Sequence, residues 1–310
     1  MNLVTILGNT NSGAGAIYEY LIGREDTNDP FNKKEFRILC DPGGINDLYK
    51  CYESYSLQSF NDALSRLIKL EKHYRVKRNL FRDGLGLDCF KNYKYYWEEY
   101  IKSIQGERFN HRYIYEDIQK NITTQIIKRI ASRLRYRKIL FKEYFTGVTK
   151  REFRDNTYYF LTKIISNKKN NRLYVLNQCG NFSAPIVSTE LLGEPKIICV
   201  RRNPLDQYTE LKIHKGMNCP KKFVYWYLHL KKLESRDQFI DERVLEISFD
   251  NFVLNYQNEA IKVCNFLNIN PTIKTSYNPE SSKKNIGKYK KYLSNYEIDI
   301  ISQSLSKWIN

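Results

Sequence analysis

Three observations on the sequence predict an α/β fold with a central, mainly parallel sheet covered on both faces. Short apolar runs alternate with segments whose apolar residues recur every three or four positions. The runs at Leu3–Leu7, Leu173–Leu176, Lys196–Val200 and Val244–Ile247 are nearly continuous, the pattern of strands buried on both faces. Glycine, proline or asparagine follows several runs at once, so each strand candidate turns sharply into a helix candidate. With 310 residues, 42% hydrophobic and 27% charged, the chain is long enough for one large core or two small ones. A disordered tail and a disulfide-stapled miniprotein are excluded.

In chain order, Leu3–Leu7 reads as the first strand and Gly8-Asn-Thr-Asn-Ser-Gly-Ala-Gly15 as a glycine-rich turn. Ala16, Ile17, Tyr20 and Leu21 then keep helical spacing. Phe36–Cys40 reads as a second strand that stops at Asp41-Pro-Gly-Gly44, with a helix over Ile45–Tyr55. From about 56 to 170 strand signals vanish. There Ile114, Ile118, Ile122, Ile126, Ile127, Ile130 and Leu134 predict one long amphipathic helix within a helical insertion. Strand and helix alternate again at 173–176, 183–192, 196–200, 204–214, 220–237 and 244–247. The final stripe runs Phe249, Phe252, Val253, Tyr256, Ala260, Val263, Cys264, Leu267. Without an internal repeat or a Pro/Gly/Ser linker, the expectation is one domain over 1–310 with residues 56–170 inserted in it.

Fifty-one Lys and Arg against 34 Asp and Glu leave a net charge of +17, so an anionic partner is expected: phosphate, sulfate, glycan, nucleic acid or acidic membrane. The seven cysteines are scattered, with no CxxC pair and no histidine at zinc spacing, which predicts reduced thiols and no metal site. The chain opens on a strand pattern rather than a signal peptide, and no apolar run reaches bilayer-spanning length. A cytoplasmic protein with no membrane span is the expectation.

Three segments carry chemistry. The turn from Gly8 to Gly15 can gather backbone N–H groups and a positive helix end at one point, which suits a phosphate; it also serves as a plain tight turn. It lacks the lysine and the following hydroxyl of a Walker A loop, since Ala14 and Gly15 come after Gly13. Next, Cys199–Asp206 runs from a strand into Arg201, Arg202, Asn203, Pro204 and Asp206. A guanidinium at the C-terminal edge of a strand can hold phosphate oxygens or form a structural ion pair. The third is Ser281–Lys291, a basic loop around Gly287, readable as an anion clamp or a solvated lysine run.

In order and spacing these segments resemble the sulfotransferases that use 3′-phosphoadenosine 5′-phosphosulfate (PAPS), over about 1–50 and 170–310. That family's first loop, Gly-x-x-Lys/Arg-Ser-Gly-Thr followed by Thr or Ser, lies over Gly8–Gly15. Its Arg-Asp/Asn-Pro-x-Asp motif matches Arg202–Asp206, its later strand and helix resemble Val244–Phe252 and Asn265–Ile269, and its C-terminal glycine loop is similar to Asn285–Lys290. The resemblance implies a P-loop-like, three-layer fold and PAPS as cofactor, leaving adenosine 3′,5′-bisphosphate (PAP), with no metal. It implies sulfuryl transfer to a hydroxyl or amine of a glycan or other small acceptor. Cofactor-binding positions would be Gly8, Asn11, Ser12, Gly13, Ala14, Gly15, Ala16, Arg202, Thr209, Glu210, Lys284, Asn285, Ile286, Gly287 and Lys288.

The sequence departs from the family at three of these positions. The loop cation falls on Asn11, a phosphate-binding threonine on Ala14, and the serine expected eight positions after Arg202 on Glu210, beside Thr209. Either a lysine at 283, 284 or 288 supplies the missing charge, with Lys288 the catalytic candidate beside Asn11, or the enzyme is slow, or the chain binds PAPS or another nucleotide without catalysis. Asp41 occupies the place of the family's general base and reads equally as a turn aspartate; His111 and His214 are reserves. A P-loop nucleotide kinase is opposed by the missing Walker lysine. A nucleic-acid module, suggested by the charge and the Tyr/Lys run at 91–96, lacks any recognised motif.

Overall fold

Leu3–Gly8 (β1) runs through the middle of a five-stranded sheet, which is why its first five residues are all buried. The computed structural model describes residues 1–79, 82–87, 92–111, 121–134, 142–166 and 172–309. With β2 at Thr27–Asn28, β3 at Leu173–Asn177, β4 at Lys196–Arg201 and β5 at Val244–Ser248, the order is β2-β3-β1-β4-β5 and every pairing is parallel. Val4 lies opposite Val175, and Ile6 opposite Ile198.

Alternation along these strands sorts side chains onto two faces. Val4, Ile6, Val175, Ile198 and Val200 pack with Ile17 and Leu21 of α1 (Ala14–Ile22) and with Phe252 and Val263 from the C-terminal part. On the other face Leu7, Ile197 and Cys199 meet Phe182, while Tyr174 and Leu176 join a large cluster that includes Phe60, Trp97 and Phe160. Each of these fully buried aliphatic or aromatic side chains contributes roughly 1.5–3 kcal/mol relative to exposure.

That large cluster is held by helices α2 (Leu57–Arg75), α3 (Tyr93–Gln105) and α5 (Lys150–Ile165), with α4 (Ile122–Arg133) among them in the chain. Tyr100 stacks on Phe160 with ring centroids 4.5 Å apart. Contrary to expectation the region also carries strands. Lys77–Asn79 pairs with Arg82–Leu85, and Arg108–His111 with Lys142–Phe145, both antiparallel. The second hairpin is tied to α2 by Asn61, whose side chain donates to the Phe145 carbonyl and accepts from its N–H, each at 2.9 Å. Arg108–His111 leaves three of its four residues exposed, so no buried alternation marks it in the sequence.

Two further expectations are corrected. Phe36–Cys40 is not a strand: Arg37–Leu39 forms a 3-10 turn that buries the adjacent residues Ile38 and Leu39 together, which a pleated strand would send to opposite faces. Phe36 stacks on Phe31 at 4.4 Å, and its contact with the sheet is limited to an isolated parallel bridge of Glu35 with Asn177, where Phe36 N–H donates to the Asn177 carbonyl. Of the isoleucine series, the stretch Ile122–Arg133 is helical as expected, and Ile114 and Ile118 lie outside the described residues. The long C-terminal helix is two, α8 (Phe249–Leu254) and α9 (Tyr256–Leu267), following α6 (Pro204–Lys215) and α7 (Pro220–Leu233). Among the described residues six cysteines are free thiols, no group of His, Cys, Asp and Glu is placed to hold a metal, and no helix is long and apolar enough to cross a membrane.

Candidate functional site

The sheet order makes β1 and β4 neighbours whose connections leave on opposite sides, so the loops after them open a crevice at the C-terminal edge. After Gly8 the chain turns through Asn11 and Gly13, both left-handed at φ +58° and +84°, and enters α1 at Ala14. Glycine is required twice for space. A Cβ on Gly13 would lie 2.4 Å from the Phe249 ring, and one on Gly8 would lie 2.0 Å from Ser12 Oγ. A Cβ on Gly15 meets nothing within 4 Å, because that position faces the crevice. The N–H groups of Ala14 and Gly15 start the helix and have no intrahelical acceptor. Around them Asn11 Nδ2, Ser12 Oγ and Arg202 Nε are buried polar atoms without a hydrogen-bond partner in the protein. Leaving such groups unpaired costs about 1–3 kcal/mol each, and an anion taking them would recover it.

The Arg202–Asp206 motif builds the other half. Asn203 caps α6 by accepting from Leu205 N–H at 2.9 Å, with Pro204 at the first helical position. Buried Asp250 accepts from Asn203 N–H at 2.9 Å; burial raises its carboxyl above the usual range. Arg202 lies over the Phe249 ring and donates to the carbonyls of Asn11 at 3.1 Å and Asn285 at 2.5 Å. Gln207 holds the Thr10 carbonyl at 2.6 Å. Asp206 accepts from Gly287 N–H at 2.7 Å and Tyr289 N–H at 3.1 Å. The three segments therefore meet, stitched through backbone groups. A cleft of about 520 Å³ between them is lined by Gly13, Gly15, Ala16, Arg202, Phe249, Tyr277 and Asn285, among others.

The remaining named residues divide. Thr209 turns inward and gives its hydroxyl to the Leu205 carbonyl at 2.9 Å, so it does not reach the cleft. Glu210 does not line it either but touches its wall through Arg202: it accepts from Lys288 Nζ at 2.7 Å and lies 3.7 Å from Arg202 and 3.2 Å from His214. Burial would raise its pKa, yet Lys288, Arg202 and His214 together hold it below the usual range. Ile286 packs on the core beside α1, Lys284 is exposed, and Lys283 pairs with Glu280. Ala14 is buried and offers no hydroxyl.

Lys231, absent from the expected set, lines a small cavity of about 20 Å³ behind the loop with Asn9, Ser12, Arg202 and Gln207. Burial, reinforced by Arg201, pushes its ammonium down to about 8 against the opposing pull of Glu234, 3.0 Å away. Nothing in the sequence separates it from the other lysines of α7. Arg201, by contrast, is committed to Glu234 and Glu246 and is sandwiched by Phe182 and Phe239.

Beside the loop, Gln178 at φ +52° accepts from Gly8 N–H through its side chain at 3.3 Å, and its carbonyl accepts from the Cys40 thiol at 3.6 Å. Burial pushes that thiol up to about 11, so at neutral pH it is a donor and not a nucleophile. Cys40 also lines a cavity of about 990 Å³ between Asn46–Glu53, the start of α5 and Asn181–Glu190. Four cations (Lys50, Lys150, Arg151, Arg154) and three carboxylates (Glu53, Asp155, Glu190) face it. Asp41 does not line it. Its carboxylate accepts from Arg37 at 2.6 Å and from the Tyr74 hydroxyl. His111 belongs to the second hairpin of the 57–165 region.

No protein-family model and no curated protein matches the chain. Among solved structures it is similar to a sulfotransferase domain from the curacin biosynthetic pathway, at 12% identity over 97% of this chain and 96% of that one, with a TM-score of 0.41.

Proposed function

We propose that this chain is a PAPS-dependent sulfotransferase, taking 1–310 as one unit whose 56–170 segment forms the acceptor-side wall. The observation that carries the reading is that Asn11 Nδ2 and Ser12 Oγ, just ahead of α1, and Arg202 Nε, on the side chain that binds the Asn11 carbonyl, are buried and unpartnered. That is the donor set of an anion cradle, and Gly15 leaves the room in front of it. It fits the 5′-phosphosulfate. The 520 Å³ cleft, with Phe249 and Tyr277 in its wall, has the size and aromatic surface for the adenosine.

In this reading an acceptor hydroxyl or amine in the 990 Å³ cavity attacks sulfur in line. The acceptor–sulfur bond forms as the bond from sulfur to the bridging phosphate oxygen breaks, and that oxygen leaves with the electron pair on PAP. The acceptor proton goes to a carboxylate beside the cavity: to Asp41 once Arg37 and Tyr74 release it from outside the lining, or to Glu190 on the lining itself. Lys231, behind the loop, supplies charge that Asn11 cannot, while Lys288 is held by Glu210.

A second reading, a nucleotide-binding protein whose ligand lacks a 3′-phosphate, is favoured by Glu210, which sets a carboxylate where the family places a serine. Calorimetric titration with PAP, 5′-AMP and ATP, followed by a sulfate-transfer assay on mixed hydroxylated and amino acceptors, separates the two. PAP binding at least tenfold tighter than 5′-AMP supports the sulfotransferase; 5′-AMP equal to PAP supports the second reading. No binding of any of the three removes both.

A further inference from the structure

Helix α4 is inside out. At 3.6 residues per turn, Ile122, Ile126, Ile127, Ile130 and Leu134 fall within an arc of about 140° on one side. All five are exposed, between 49% and 75%. The opposite side, where Ala131 is buried at 4% and Thr124, Gln125 and Lys128 are half-buried, faces the protein. A soluble helix packs its apolar stripe inward, so this one holds its stripe ready for an apolar phase outside the chain.

Charge decides which phase. Arg129 and Arg133 are exposed and border the stripe, and between Asp117 and Glu143 the sequence has eight Lys or Arg and no acidic residue. Two copies packed stripe to stripe would bring these borders together in a chain already at +17, and the like charges would repel. Nucleic acid would satisfy the arginines and leave the isoleucines in water. An anionic bilayer surface satisfies both: acyl chains take the isoleucines while phosphate and carboxylate headgroups take the arginines. We infer that α4 is an interfacial helix that docks the protein on anionic membrane. It lies flat in the interface and does not cross the bilayer, and the inference stands independently of the cofactor.

The test is co-sedimentation of the full chain with vesicles of phosphatidylcholine alone or with one quarter phosphatidylserine. Binding to the anionic vesicles at least tenfold above the neutral ones is expected, weakening as salt rises. The Ile126→Asp/Ile130→Asp variant should lose it with circular dichroism and Tm unchanged, since both side chains are exposed. Arg129→Gln/Arg133→Gln should cost about fivefold for each charge removed. Equal binding of wild type and the aspartate variant overturns the inference, as does indifference to phosphatidylserine. So does a wild-type dimer in sedimentation velocity that the aspartate variant abolishes, because the stripe would then be a self-association face.

Discussion

On the sulfotransferase reading, replacing Glu210 should tighten PAP binding, because its carboxylate engages Lys288 and Arg202, the cations a 3′-phosphate would recruit. Its oxygens lie 2.7 Å from Lys288 Nζ, 3.7 Å from Arg202 Nη2 and 3.2 Å from His214 Nε2. A phosphate recruiting Lys288 and Arg202 would come to about 4 Å from the carboxylate. There each pair of unit charges repels by about 1 kcal/mol at the dielectric of water and about 4 kcal/mol at an effective dielectric of 20. Lys288, Arg202 and His214 already surround Glu210 and offset part of its charge, so the lower half of that range applies. Glu210→Gln, which keeps shape and loses charge, should bind PAP about fivefold to thirtyfold tighter. Affinity for 5′-AMP, without a 3′-phosphate, should change less than twofold. Without ligand the variant should melt lower than wild type, since Arg202 and Lys288 lose their counter-ion. Calorimetry with both nucleotides on wild type, Glu210→Gln and Glu210→Ser reads all of this. Equal gains for PAP and 5′-AMP, or a loss for PAP alone, would refute the placement of a 3′-phosphate beside Glu210.

Three other outcomes follow from the geometry. Gly15→Ala should leave chemical-denaturation stability within about 0.5 kcal/mol of wild type, since the new Cβ meets nothing, while nucleotide affinity drops about tenfold; Gly13→Ala, with φ +84° and Phe249 at 2.4 Å, should cost at least about 2 kcal/mol of stability. Because the Lys231 ammonium releases its proton near 8, PAP affinity measured from pH 6 to 10 should fall as pH passes that value, and Lys231→Arg should flatten the profile. The unfolded chain holds this proton up to its ordinary 10.5, so the lysine's burial costs stability at and below pH 8 and the cost fades between 8 and 10.5. Asp41→Asn should lower turnover on any acceptor about a hundredfold or more with PAP affinity unchanged; if Glu190→Gln does this and Asp41→Asn does not, the base is the carboxylate that lines the cavity.

What could be read from the sequence was local, and what could not was set by distance along the chain. The turn from Gly8 to Gly15 and the entry into α6 at Asn203-Pro204 are legible because short-range sterics and capping dictate them. Thr27–Asn28 is illegible as a strand, since two edge residues show no period. Phe36–Cys40 misleads because a short apolar run is compatible with a strand or a buried helical turn until Phe31 arrives to stack. The pairing of Glu210 with Lys288 spans 78 residues and no spacing announces it, although Glu210 was already odd in its position. The contacts among the three segments explain why their order was informative before their chemistry was. Arg202 binds the carbonyls of Asn11 and Asn285, and Asp206 binds the N–H groups of Gly287 and Tyr289, so either side chain spans two segments. Losing Arg202 or Asp206 would release a neighbouring loop. The glycine loop, stitched to Arg202 and Gln207, depends on them for its shape while its own donors at Asn11 and Ser12 stay unpartnered. A chain under no demand to bind an anion could satisfy those donors with a single neighbouring carbonyl. Here the neighbouring carbonyls of Thr10 and Asn11 are instead taken by the buried side chains of Gln207 and Arg202, and the donors of Asn11 and Ser12 go without them.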